Sequence, residues 1–439
     1  MKFDILKLNS SAVFLLFMTV MLLANCCKEV DASGGNNTDL NQLPIVMVHG
    51  ALASGDTYAK HAMLYGSNGY PSDMLYVYDW NSLGGSGAPA LASLDKFIDG
   101  VIAKTGKSQI YLIGHSAGGG LSYSYCNDSL RSKKIAKYVH LASTPQTKPA
   151  GLKGEVPTLN VYSDGDKVVA GATIPNATNV TFDNLDHYQV ATSESSFEEV
   201  YNFLLGQRPK SNVIKTQSKS KVSGRVLTLG ENAATANAIV KIWQVDSVSG
   251  DRLNAVLYTL TTDEKGNFGP VELSSRMHHE FEVTSSVPAF RTVHYYRENI
   301  PRENKFLYLR SFPPASSFAG ILLNSLPRND EQAVVASFTS NQAVINGRDE
   351  LSAQGITLST PALCSPTNST IAMFMYDNGD KVSSGAGHPT FAILPFLKGA
   401  DIFIDSQKPE TFSITFNGRT KGVKNFKSAT EGVAIMVFD

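Results

Sequence analysis

Three side chains stand where nucleophilic chemistry could be built. Gly114-His115-Ser116-Ala117-Gly118 sets a serine between two glycines. It follows the apolar run 110–113 directly and precedes the small-residue helix start Gly119-Gly120-Leu121. A strand, a sharp turn and a helix in that order present a serine hydroxyl at the top of a sheet, and the glycines let the backbone turn that tightly. Serine is a weak nucleophile at neutral pH and needs an adjacent base, itself oriented by an acid. Downstream, Ser163-Asp164-Gly165-Asp166-Lys167-Val168-Val169 offers two carboxylates just past a strand. Asp166 is preferred as the acid, because Val168 and Val169 can anchor its loop apolarly. Asp164 then reads as a turn residue beside Gly165. His187, in Asn184-Leu185-Asp186-His187-Tyr188, is the expected base, between the last strand and the final helix. A developing oxyanion needs two backbone N–H donors. Ala117, after the serine, supplies one, and Ala51, after His49-Gly50, the other.

The remaining histidines carry less. His115 is expected to face away from the site, and His140 to be a satisfied core residue. His278-His279 read as alternate faces of a strand, with no carboxylate or cysteine cluster beside them, so no metal and no cofactor are expected.

The elements that must position these groups are visible as periodicity. Six short apolar runs, at 45–48, 75–78, 110–113, 138–141, 159–162 and 180–182, read as strands. Between two of them Leu91, Leu94, Phe97, Ile98, Val101 and Ile102 recur at helical spacing, with Pro89 where a helix would begin. Strands alternating with helices imply an α/β fold, a mostly parallel sheet with helices on both faces. Residues 33–206 are the expected catalytic domain and 207–221 a linker. Two all-β blocks are expected beyond it: a small prealbumin-like β-sandwich over 222–290 and a second β-rich domain over 291–439.

The chain has 439 residues and a formal net charge of −1, so it lacks the basic field that nucleic-acid binding demands. Lys2 and Lys7 before the apolar run 12–24 read as a signal peptide over residues 1–32, cleaved after Ala32, which makes the protein secreted or cell-surface. A competing reading is a lipoprotein signal with its anchor at Cys26. After cleavage only Cys126 and Cys364 remain, in different expected domains, and both are expected as buried free thiols.

Val48-His49-Gly50, the Gly114 to Gly118 motif, the Asp166 loop and Leu185-Asp186-His187 fall in an order and spacing that resembles the small secreted bacterial lipases of the α/β-hydrolase fold. The resemblance covers about residues 42–206. Asp166 lies 50 residues beyond Ser116 and His187 a further 21, which leaves no room for a helical cap. The resemblance implies a triad of Ser116, Asp166 and His187, with Ala51 and Ala117 as oxyanion donors, acting on acylglycerols or other carboxylic esters without a metal. Secreted lipases with a C-terminal β-domain for handling lipid share the overall layout. The expected partner is thus an ester or lipid substrate, at a lipid–water interface, with no protein partner. Other readings are a polyester depolymerase, an acyltransferase, or a non-catalytic surface adhesion or lipid-carrier protein. Because the triad and both donors precede residue 206, nothing after the linker is expected to be needed for the chemistry itself. The apolar runs 312–314, 318–323 and 391–397 read mainly as core, the remainder walling an acyl groove.

Overall fold

A computed structural model describes residues 42–287, 290–392 and 394–439. The expected signal peptide, its expected cleavage point and Cys26 lie outside the described residues. Strands β1 (Ile45–Val48), β2 (Leu75–Tyr78), β3 (Ile110–His115), β4 (Ile135–Leu141), β5 (Thr158–Ser163) and β6 (Thr178–Phe182) form one sheet in the order β2-β1-β3-β4-β5-β6. Every neighbouring pair is parallel. Parallel pairing needs a crossover between successive strands; helices supply it from β1 to β4, and loops from β4 to β6.

Those helices are α1 (Ala59–Ser67), α2 (Ala88–Thr105), α3 (Ala117–Cys126), α4 (Gln189–Thr192) and α5 (Glu194–Leu205). Strand residues alternate between two cores, as a period of two requires. Ile45 and Met47 pack with Leu64 of α1 and with Phe197, Val200 and Leu204 of α5. Val46 and Val48 pack on the other face with Leu94, Ile98 and Val101 of α2 and Leu121 of α3. Pro89 stands in the first turn of α2, where its missing N–H costs nothing, and Gly106 closes the helix at φ 66°. The α/β fold expected from the sequence is the fold observed.

Three further sheets follow, all of β-structure. An eight-stranded sheet runs in the order Leu397–Asp401, Ala372–Tyr376, Val335–Thr339, Val433–Phe438, Val293–Arg297, His278–Thr284, Ile239–Val245, Tyr258–Thr261. A three-stranded sheet of Asn267–Ser274, Lys219–Thr228 and Asn304–Ser311 packs against it through one apolar core that includes Val222, Phe281, Leu309 and Phe374. A four-stranded sheet closes the far side. The 290/291 junction thus falls inside a shared sheet. Val293–Arg297 lies between His278–Thr284 on one edge and Val433–Phe438 on the other. Leu43–Asp439 forms a single compact unit. Leu227, Phe306 and Tyr308 from beyond the linker join the core on the α1/α5 face of the first sheet. No helix among the described residues is long and apolar enough to cross a membrane. Cys126 and Cys364 are buried and free, and burial raises both thiols above their ordinary pKa.

Candidate active site

Ser116 stands between β3 and α3 with φ 52° and ψ −124°, a backbone conformation costly for any side chain. The surroundings over-determine it. Its N–H donates to Leu141 O at 2.9 Å, and its own carbonyl accepts from Gly119 N and from Ser143 Oγ at 2.7 Å. The flanking glycines are required by contact. A Cβ at Gly118 would lie 2.3 Å from His49 O, and one at Gly114 would lie 2.6 Å from Gly118 O.

Asp166 and His187 meet from two loops at the ends of β5 and β6. His187 Nδ1 lies 2.7 Å from Asp166 Oδ2, and both side chains are almost wholly buried. Asp166 Oδ1 accepts from the amides of Val168 and Val169 at 2.8 and 3.1 Å, so the two valines hold this carboxylate through their backbone and not by the apolar anchoring expected of their side chains. Burial works to raise the carboxyl's pKa. The bond to His187 and the two amides outweigh it and hold the group below its ordinary value. Asp164 makes a different contact, its carbonyl accepting from its neighbour Lys167. The other ring nitrogen, His187 Nε2, is buried without a hydrogen-bond partner among the described residues. It lines a cavity of about 20 Å³ together with Ser116, Gly50 and Ala51. That is room for little more than one water. Ala117 is the first residue of α3, so its N–H has no partner within the helix. The structure therefore brings Ser116, Asp166, His187 and Ala51 to one place, with the free N–H of Ala117 at the helix start beside them. Such a group could deprotonate a hydroxyl, hold the resulting imidazolium and receive an oxyanion.

One histidine differs from expectation. His115 does not face away: its ring lines the same cavity, 4.8 Å between centroids from that of His187, and its Nε2 lies 3.0 Å from His187 O. Burial, reinforced by His187, pushes its pKa down to about 3, so it is a neutral donor that ties the His187 loop to the elbow. His140 is in the core, bonded to Tyr138 Oη and Thr144 O. His278 and His279 do sit on alternate faces, and His279 is buried. Carboxylates are nearer than the sequence suggested: Glu280, Glu282 and His294 converge on one point. The guanidinium of Arg252 already bonds both carboxylates there, a fixed positive charge where a cation would have to bind.

The site is covered from the β-region, in part by the run 391–397. Ile371, just before the strand Ala372–Tyr376, and Phe396, in the turn leading into the edge strand Leu397–Asp401, line the same cavity, and the Phe396 ring stacks on His187 at 6.0 Å and 17°. Beyond Ala53, Tyr188 and Ile371, which line both spaces, lies a second cavity of about 440 Å³ between the parallel sheet and the β-region. Its charged lining residues are four acids and four bases, each in an ion pair: Lys60–Glu194, Arg310–Asp56, Arg297–Asp439 and Arg419–Glu298.

Residues 44–189 match the family model described as alpha/beta hydrolase fold. This part of the chain is an α/β-hydrolase domain. Residues 218–314 match a second model, the lipase C-terminal domain, and the two domains together support hydrolase activity. Solved structures with a similar fold include a predicted CIB-like hydrolase from Thermoplasma acidophilum (18% identity, 38% of this chain, 88% of that one, TM-score 0.30). Others are the Bacillus licheniformis lipase BlEst2 (15% identity, 37% and 92%, TM-score 0.29) and Aspergillus fumigatus lipase B (14% identity, 41% and 56%, TM-score 0.30).

Proposed function

We propose that this hydrolase is a lipase or long-chain carboxylesterase that cleaves neutral carboxylic esters through an acyl-enzyme on Ser116. The observation that carries the reading is the state of His187. One nitrogen is fixed by Asp166, and the other is buried, free and in the cavity that Ser116 lines. In this mechanism His187 Nε2 takes the hydroxyl proton as Ser116 Oγ bonds to the ester carbonyl carbon. Asp166 holds the ring in the tautomer with its proton on Nδ1 and stabilises the imidazolium. The N–H groups of Ala51 and Ala117 bind the oxyanion. The carbonyl re-forms, the alkoxide leaves with the proton from His187, and a water activated by the same nitrogen then releases the acid.

The adjoining cavity supports the substrate class. Its volume falls in the range of about 300–1,000 Å³ usual for small-molecule sites. It has apolar walls such as Leu229, Phe338 and Leu397, and its charges cancel pairwise. An anionic chain would find no unpaired cation there, whereas a neutral limb can bury its methylenes, at about 0.8 kcal/mol each. Ser116→Ala, assayed on a neutral long-chain ester beside a short soluble one, is expected to lose nearly all turnover on both with the fold retained. A folded variant that keeps a tenth of wild-type turnover would remove Ser116 as the nucleophile. The N-terminal segment suggests that this action takes place outside the cell.

A further inference from the structure

The loop carrying His187 is held from two sides, and only one of them belongs to the α/β-hydrolase domain. On the inner side stand Asp166 and His115. On the outer side stands a clasp from residues 341–349, which follow Val335–Thr339 of the eight-stranded sheet. Asp186, immediately before His187, is buried. Its Oδ1 accepts from the amides of Tyr188 and Gln189, shaping the turn on which His187 sits. Its Oδ2 lies 2.8 Å from Arg348 Nη2 and accepts from Ala343 N at 3.2 Å. Arg348 Nη1 donates to Gln189 Oε1 at 3.0 Å, and that oxygen also accepts from Asp186 N. Arg348 is aimed in turn by Asp349, whose Oδ2 accepts from its Nε and Nη2. Thr192 Oγ1, one turn further, donates to Asn341 O at 2.5 Å.

The loop bearing Ala51 is held in the same manner. Asn232 Nδ2 donates to Ala53 O at 2.8 Å and to Trp80 O at 3.0 Å, and Arg310 pairs with Asp56 at 2.7 Å. Both loops that must be placed for chemistry are thus set by residues beyond the linker.

We propose that Arg348, gripping the Asp186 carboxylate, is a positioning residue for His187, so that the β-region completes the catalytic centre instead of serving only to handle lipid. This rests on the reading of His187 as the base. A reactant misplaced by about 1 Å can cost on the order of a hundredfold in rate. An arginine fork fixes direction as well as charge, which a lysine cannot do.

The test uses the full chain with a short soluble ester, for which the larger cavity is not needed. Arg348→Met is expected to lower kcat ten- to a hundredfold, with KM within about twofold and with the same loss on short and long esters. Arg348→Lys should recover part of kcat. Because Arg348→Met strands the buried carboxylates of Asp186 and Asp349, Asp186→Asn/Arg348→Met, which removes the charge beside His187 and leaves Asp349 its bonds from Gln342, Ile345 N and Asn417, is measured beside it and is expected to fold and to keep the kcat defect. Wild-type kcat in either folded variant overturns the proposal. So does a defect confined to KM or to long esters, or a lysine variant no better than methionine. Ser116→Ala in the same assay separates the two claims: if it stays active the triad reading fails, and if it is inactive while Arg348→Met is not, only the role of Arg348 fails.

Discussion

Asp164 and Asp166 stand two positions apart on one loop, yet only Asp166 points its carboxylate at His187 Nδ1, at 2.7 Å. Asp166→Asn would present an amide to that nitrogen and favour the wrong tautomer. Loss of the orienting carboxylate in such a triad costs about 10⁴ in kcat. Asp166→Asn is therefore expected to cut turnover by about that order with little change in the unfolding midpoint, while Asp164→Asn stays close to wild type. Steady-state kinetics of the two variants side by side decide it, and the reverse ranking would move the acid to Asp164. Tyr188 repeats the lesson at the adjoining position: its amide is spent on Asp186, while its side chain lines both the site and the larger cavity.

At the scale of the element, the turn into the edge strand Leu397–Asp401 does unusual work. Phe396 has φ 70°, left-handed for a bulky residue. Three backbone bonds hold it there: its N–H donates to Asn368 O, and its carbonyl accepts from Ile371 and Ala372. The left-handed region costs a non-glycine residue about 1–2 kcal/mol. The consequence is a ring laid over His187 and a cavity of only about 20 Å³ beside Ser116. Replacing Phe396 by alanine or glycine removes the same ring, but glycine also relieves the backbone. Phe396→Gly should then unfold at higher denaturant than Phe396→Ala, by about 1 kcal/mol. Both should accept bulkier acyl groups, raising the rate on a branched-acid ester relative to an acetate. An unchanged ratio of those two rates would mean that the ring does not bound the site.

Over the whole molecule, the buried histidines couple folding to pH. Burial pushes His61, His140 and His279 down to about 4, from an ordinary 6.5. Between those values the unfolded chain binds protons that the folded chain refuses, so stability must fall as pH falls through that window. Each such group contributes a slope of about 1.4 kcal/mol per pH unit there. Asp186 acts oppositely, since burial raises its pKa and the folded state takes up its proton more readily. His115, pushed down to about 3, and His278, to about 4, act in the same direction as these three, so against Asp186 alone the histidines leave a net loss. Denaturant midpoints should hold steady from pH 8 to 7 and then drop steadily to pH 5. His279→Leu, which removes an imidazole with no hydrogen-bond partner on either nitrogen among the described residues, should flatten the drop. Midpoints equal at pH 7 and pH 5 would contradict the sign.

What the sequence determined by itself is what neighbours along the chain dictate. The glycines around Ser116, the apolar runs of the six strands and the 3.6-residue repeat of α2 each act within a few residues, so the elbow and the parallel sheet were readable. The order of serine, acid and base followed, because loops at the same ends of parallel strands must face one another. What only tertiary structure decided is how the β-region docks. Asn232 lies 179 positions from Ala53, and Ala343 lies 157 from Asp186. No local pattern marks such pairs, because an arginine or asparagine on a loop looks the same whether solvent or another sheet receives it. The division expected at 290 looked natural for the same reason. Strand pairing across it is set by which edges remain free once neighbouring strands have formed, and that is a property of the assembled sheet. Hence Ser116, Asp166 and His187 were visible as residue types at spacings, while the cavity beside them and the clasp on the His187 loop exist only where surfaces meet.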